Sequence, residues 1–157
     1  MTTTTRLTDL LANGSTNLDP GRVINISSVS AFETHAVGSS LAADNNGLWS
    51  YNASKAAVNQ LTTNLATTLA KRVNAICPGV FPSKMTAWGL KEKSEKMIKG
   101  QPMGRLGNAR DMAGVGLRFE ARPITSALFL ASPASAHITG AHILLDGGAF
   151  IGGTAHL

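Results

Sequence analysis

An open parallel α/β sheet is the fold class this sequence predicts, and three observations carry it. Three short runs rich in β-branched and aliphatic residues, 22–27, 73–77 and 141–145, run respectively into Ser28, Pro78-Gly79 and Asp146-Gly147-Gly148. A long stretch, 51–72, contains no glycine or proline and separates the first two runs. The order strand, helix, strand, helices, strand is that of βαβ units, whose crossover connections make neighbouring strands parallel.

Each element has its own signals. Residues 1–20 open with four threonines, place Leu7, Leu10 and Leu11 on one short helical face, and pass through Asn13-Gly14 and Asp19-Pro20-Gly21, which is turn chemistry. Residues 22–27 read as a buried strand with Ser28 at its carboxyl end. Residues 32–50 are small and polar, without periodicity, and form a long loop of the kind that often carries function. In 51–72, Val58, Leu61, Leu65 and Leu69 recur at three-four-four spacing, the mark of an amphipathic helix. Its pattern abuts the strand pattern of 73–77 with no linker, although such connections take about two to six residues. An exposed helix is expected over 84–99, and broken helical periodicity runs over 109–131. Removing 115–124, which contains Gly116 and Pro123, would join 110–114 to 125–131 as one helix, so that decapeptide reads as an inserted loop. The closing glycines, 147–152, mimic a phosphate loop, but no helix follows them and they read as a turn.

Composition sets outer bounds. A chain of 157 residues with 43% hydrophobic and 15% charged residues reads as a single globular domain, not a disordered, collagenous or coiled-coil chain. No apolar stretch approaches the roughly 20 residues of a spanning helix, and 1–11 lacks a secretory layout, so no membrane and a cytoplasmic location are expected. Cys77 is the single cysteine, so neither an intrachain disulfide nor a metal site is expected, and a buried thiol is. The four histidines, His35, His137, His142 and His156, lack ligand spacing. A net charge of +5 and a pI near 9.8 raise nucleic acid as a partner. The positive residues are dispersed, however, and the densest group, Lys84 to Lys99, has Glu92 and Glu95 mixed in, which argues against it.

In open parallel sheets ligands bind beyond the carboxyl ends of the strands, where Ser28, Pro78-Gly79 and Asp146-Gly147 are expected. Tyr51 and Lys55 lie four apart at the start of the helix, one turn apart on one face. A phenol, with a pKa of about 10, is a poor acid near neutral pH, and an adjacent ammonium favours its ionised form, which makes such a pair a usable proton donor or acceptor.

Five segments occur in order: Asn-Ile-Ser-Ser-Val-Ser at 25–30, Tyr-Asn-Ala-Ser-Lys-Ala-Ala-Val at 51–58, Val-Asn-Ala-Ile-Cys-Pro-Gly-Val-Phe-Pro-Ser-Lys-Met-Thr at 73–86, Pro-Met-Gly-Arg-Leu-Gly at 102–107, and Ile-Thr-Gly-Ala-His-Ile-Leu-Leu-Asp-Gly-Gly at 138–148. Together they resemble the carboxyl-terminal half of the short-chain dehydrogenases/reductases, and are most similar to the 3-oxoacyl branch that includes rhamnolipid-type ketoacyl reductases. The resemblance implies a doubly wound, Rossmann-like parallel sheet. The expected chain is a single incomplete domain lacking the amino-terminal βαβ half, since no Gly-x-x-x-Gly-x-Gly turn precedes residue 22.

The resemblance also implies roles. Tyr51 would give a proton to a ketone oxygen while hydride arrives from NADP or NAD. Lys55 would favour the ionised phenol and bond the nicotinamide ribose. Ser28 would hold the ketone oxygen, with Ser27 or Ser30 as lesser candidates. Tyr51 would also contact the cofactor, and Pro78, Gly79, Val80 and Ser83 would pack against the nicotinamide. The implied substrate is a small ketone such as a 3-oxoacyl compound. The implied partner is a second copy or a full-length relative, joined through the 51–72 helix. The competing reading is a non-catalytic fragment that only associates. Strand 22–27 is expected to be an exposed edge, with strand 73–77 covering one side.

Overall fold

The structure is a computed structural model, and it describes residues 7–39, 41–42, 46–69, 71–113 and 126–152. The element order is α1 (Thr8–Ala12), β1 (Arg22–Ile26), a 3-10 turn (Val29–Ala31), α2 (Trp49–Leu69), β2 (Arg72–Pro78), α3 (Ala87–Lys99), α4 (Ala109–Ala113), α5 (Ser126–Ala131), a second 3-10 turn (Pro133–Ser135) and β3 (His142–Leu145). The three strands form one sheet in the order β1-β2-β3, with both pairings parallel. The α/β class and the parallel crossovers read from the sequence are thus present. The proposed insertion at 115–124 lies outside the described residues.

β2 is the central strand. Every residue from Arg72 to Cys77 is buried, because β1 covers one edge, β3 the other, and elements cover both faces. Alternation sends Val73, Ala75 and Cys77 toward α2, and Arg72 and Asn74 the other way. On the first face, Leu65 and Ala66 of α2 meet Val73, with Val23, Leu61 and Leu69 packed around them. This is the stripe that the leucine spacing predicts. On the second face, Asn74 spends its amide on the Ile138 carbonyl and its side-chain oxygen on the Ala141 N–H. The Arg72 guanidinium, 2% exposed, donates to the Ser132 carbonyl at 2.7 Å, to Ser135 Oγ at 3.3 Å and to Asp19 Oδ1 at 3.1 Å.

Two sequence readings are corrected here. Arg72 belongs to β2 and not to the helix: its N–H donates to the Gly21 carbonyl and it stands opposite Arg22 in the ladder. The helix accordingly ends at Leu69, and the strand begins at Arg72. Residues 22–27 are not a fully buried strand either. β1 is half-buried along its length with Ile26 54% exposed, because among the described residues it pairs with β2 alone. It is therefore an exposed edge, as expected from the sequence.

α2 is fastened to the edge strand by polar bonds as well as by packing. Asn25 Nδ2 donates to Thr62 Oγ1 at 2.9 Å, and Ser27 Oγ donates to the Lys55 carbonyl at 3.1 Å. The amino-terminal turns of α2, which carry Tyr51 and Lys55, are thereby held beside the carboxyl end of β1.

Candidate active site

Beyond the carboxyl ends of β1 and β2 lies a cavity of about 370 Å³, within the roughly 300–1,000 Å³ of small-molecule sites. Ser28, Tyr51, Gly79 and Val80 all line it. Three segments far apart in sequence supply these residues, and the parallel sheet brings their ends to one place.

Ser28 follows β1 in extended conformation and caps the 3-10 turn, its Oγ accepting from the Ser30 N–H at 3.2 Å. The same hydroxyl reaches the Pro78 carbonyl at 3.5 Å, the outer limit of a hydrogen bond. Ser27 points the other way, to the Lys55 carbonyl, and Ser30 lines the cavity from a buried position. Of the three serines, Ser28 lines the cavity with Tyr51 while also touching the end of β2.

Tyr51 is half-buried in the first turn of α2, and its hydroxyl has no hydrogen-bond partner among the described residues. The Lys55 ammonium lies 5.7 Å from the Tyr51 ring centroid and donates to the Ile26 carbonyl at 3.1 Å. An ammonium carries three N–H donors, so two remain for a ligand. Lys55 does not line the cavity; it stands behind Tyr51, anchored to the last residue of β1.

Pro78-Gly79-Val80 is pinned by its backbone. The Gly79 N–H donates to the Leu145 carbonyl at 3.0 Å, and the Val80 carbonyl accepts from the Gly107 N–H at 3.1 Å. Glycine is required at 79 because a Cβ there would lie 2.7 Å from Asp146 Cβ. Pro78 closes β2 without lining the cavity, and Ser83 is exposed. The Ser83 hydroxyl and the Thr86 hydroxyl lie 3.1 Å apart, and each residue's N–H donates to the other's hydroxyl.

Several lining residues were not singled out from the sequence. Thr86, 5% exposed, faces the cavity where Ser83 was expected to act. Thr86 immediately precedes α3, and a Thr just before a helical pattern is an N-terminus signal that could have drawn attention to it. Glu33, His35, Val37 and Leu41 line it from the 32–50 loop, and Lys96, Met97 and Gln101 from α3 and its end. That loop has no periodicity, so no sequence signal showed which residues turn inward. Asn52, next to Tyr51, also lines the cavity and has a buried Oδ1 without a partner.

Cys77 is buried, its Sγ 3.7 Å from Asn59 Oδ1, and burial pushes its thiol above the ordinary range. His142 bonds the Asn59 carbonyl through Nε2, which makes it a packing residue. Among the described residues no group of three His, Cys, Asp or Glu side chains is arranged to hold a metal, and no helix is long and apolar enough to cross a membrane.

Comparison with known proteins agrees with this geometry. Residues 2–149 match a family described as Enoyl-(Acyl carrier protein) reductase. The 3-oxoacyl-(acyl-carrier-protein) reductase FabG of Pseudomonas aeruginosa is 35% identical over 150 residues, covering 93% of this chain and 52% of its own. The short-chain dehydrogenase/reductase PhomF' of Diaporthe leptostromiformis is 39% identical over 108 residues, 64% of this chain and 33% of its own. Among solved structures, a short-chain alcohol dehydrogenase from Sinorhizobium meliloti superposes with a TM-score of 0.70 at 29% identity, covering 95% of this chain and 51% of that one. The Pseudomonas aeruginosa RhlG/NADP active-site complex gives 0.68 at 32% identity, over 94% and 53%. The chain spans between a third and about half the length of these relatives.

Proposed function

The chain belongs to the short-chain dehydrogenase/reductase family, and from that membership we propose that it serves reduction of a small ketone, of the 3-oxoacyl type, by a nicotinamide cofactor, NADP or NAD. The observation that carries this reading is the single cavity shared by Ser28, Tyr51, Gly79 and Val80, with the Lys55 ammonium behind the Tyr51 ring.

The residues fit the reactive end of such a cofactor. Lys55 keeps two N–H donors for ribose hydroxyls while its third holds the Ile26 carbonyl. Gly79 and Val80 offer a flat wall whose backbone is already tied to Leu145 and Gly107. Thr86 adds a hydroxyl, with Ser83 bonded to it from outside. A bound nicotinamide would supply hydride to the ketone carbon.

This chain's own groups manage the proton. Ser28 Oγ donates to the ketone oxygen and orients the carbonyl. Tyr51 Oη gives its proton to the same oxygen as negative charge develops there, and the alcohol forms. Lys55 opposes the negative charge left on the Tyr51 oxygen, an attraction that is strongest where water is excluded. Val37, Leu41, Leu48 and Met97 give the substrate's chain an apolar wall.

The functional unit reads as one α/β domain, cytoplasmic, without nucleic-acid or membrane partners. The exposed face of α2, with Ala53, Ala57, Gln60 and Asn64, suits close packing against a second copy or a longer relative. The same exposed face supports a second reading, association without turnover.

Fluorescence titration with NADPH and NADH separates the two, since a reductase must bind one of them. If a 3-oxoacyl thioester is reduced, Tyr51→Phe lowers kcat by roughly 100-fold or more while cofactor affinity stays near its original value. Turnover indifferent to Tyr51→Phe overturns the assignment.

A further inference from the structure

Two walls of the cavity come from segments that the sheet does not join: the loop bearing Val37, Ser39 and Leu41, and the helix α3 bearing Met97. Lys93 bridges them. Its ammonium donates to the Ala42 carbonyl at 3.1 Å, and it passes 5.4 Å from the Trp88 ring centroid. Its backbone, at φ −135° and ψ 23°, leaves the helical region in the middle of α3, so the helix changes direction at the residue that reaches across.

We propose that Lys93 is a positioning residue that clasps α3 to the loop at Ser39, Leu41 and Ala42 and so sets the width of the cavity and the length of ketone it admits. The clasp itself stands on the contacts above; its effect on ketone length rests on the function proposed here. The far end of the bond is firm. Ala42 is 7% exposed, its N–H donates to the Ser39 carbonyl at 3.2 Å, and the Leu41 N–H donates to Ser39 Oγ at 3.2 Å. A pull on the Ala42 carbonyl is therefore carried to Ser39 and Leu41, both of which line the cavity. The near end is equally placed. Met97 lies four residues beyond Lys93, 4% exposed and in the cavity wall. Lys93 is half-buried, whereas Lys91, Lys96 and Lys99 of the same helix are exposed. A hydrogen bond from an ammonium to a carbonyl is stronger than one between neutral groups, and the Trp88 face adds cation–π attraction.

The test compares the intact chain with Lys93→Met, which keeps the apolar stem over Trp88 and drops the donor, and with Lys93→Arg, which keeps a donor. Amide hydrogen exchange is followed in 36–42, in 94–101 and in β2. In Lys93→Met both wall segments should exchange roughly three- to tenfold faster with β2 unchanged, and Lys93→Arg should restore protection. Unchanged exchange overturns the clasp, as does acceleration confined to α3 or acceleration that includes β2. These readings need no turnover, so a failed clasp and a failed reductase assignment are told apart. With active protein, the KM ratio of 3-oxododecanoyl to 3-oxobutanoyl thioester should fall in Lys93→Met with kcat for the shorter substrate little altered; a constant ratio overturns the selectivity role.

Discussion

Replacing Thr62 by valine isolates the hydrogen bond that docks the Tyr51-bearing helix on the edge strand. Thr62 is fully buried; its Oγ1 donates to the Val58 carbonyl at 2.8 Å and accepts from Asn25 Nδ2 at 2.9 Å. Valine fills nearly the same volume, so no cavity opens, and the added methyl character returns up to about 0.8 kcal/mol of burial. What is lost is the acceptor for Asn25, together with an extra bond to the Val58 carbonyl, which lies within the helix. A stranded donor costs about 1–3 kcal/mol when buried, and Asn25 is only half-buried, which places the loss in the lower part of that range. Set against the methyl gain, Thr62→Val should destabilise by about 1 kcal/mol. In urea unfolding at 25 °C, with a slope of about 1–2 kcal/mol/M, the midpoint should fall by roughly 0.5–1 M. Asn25→Ala should cost a similar amount, and the double variant little more than either, leaving a coupling of at least about 0.5 kcal/mol. Strict additivity would refute the reasoning, because it would mean that the two side chains stabilise the fold independently.

Gly79→Ala drives a Cβ to within 2.7 Å of Asp146, which is fixed because its carboxylate accepts from the Gly148 and Phe150 N–H groups at 3.0 and 2.7 Å. Overpacking of this kind should cost about 1–3 kcal/mol and lower the thermal midpoint; an unchanged midpoint would show that the two loops yield freely. Asp111 accepts from Arg105 at 2.6 and 2.9 Å, and this guanidinium, with the Asn108 N–H, holds its carboxyl down at about 2. Its stabilisation is complete above the unfolded-state pKa near 3.9 and disappears as pH falls toward 2. Carboxyl NMR should find the Asp111 midpoint near 2 and see Arg105→Gln move it upward; the same midpoint in both proteins would discount the pair.

The sequence showed most clearly what depends on local periodicity. α2 could be read because Leu61, Leu65 and Leu69 keep one face and no Gly or Pro interrupts it, and β2 because a short, mostly apolar run interrupted only by Asn74 leads into Pro78-Gly79. The position of Arg72 was misread because arginine suits a helix end as well as a strand, and only the distant Asp19, Ser132 and Ser135 make its burial tolerable. Within the site, Ser28 and Gly79 follow strand ends and Tyr51 opens a helix, so order along the chain pointed to them, whereas Val80 was reached through the family resemblance. His35, Thr86, Lys96 and Gln101 enter the cavity through loop geometry and a helix break at Lys93, neither of which leaves a periodic trace.

Arg72 has a consequence for the time course of folding. Its bonds span 53, 60 and 63 residues of chain, so three large loops must close before the guanidinium finds acceptors. Until then it is an uncompensated cation that favours water, and it gives an early nucleus nothing. Such late contacts act on the escape rate of the native state and leave the rate of reaching it nearly untouched. Arg72→Met should accordingly shift the unfolding limb of a chevron and spare the folding limb; a change confined to the folding limb would place the guanidinium in the nucleus instead. The central strand would then act on folding and persistence separately, with Arg72 setting how long the domain lasts and not how fast it assembles.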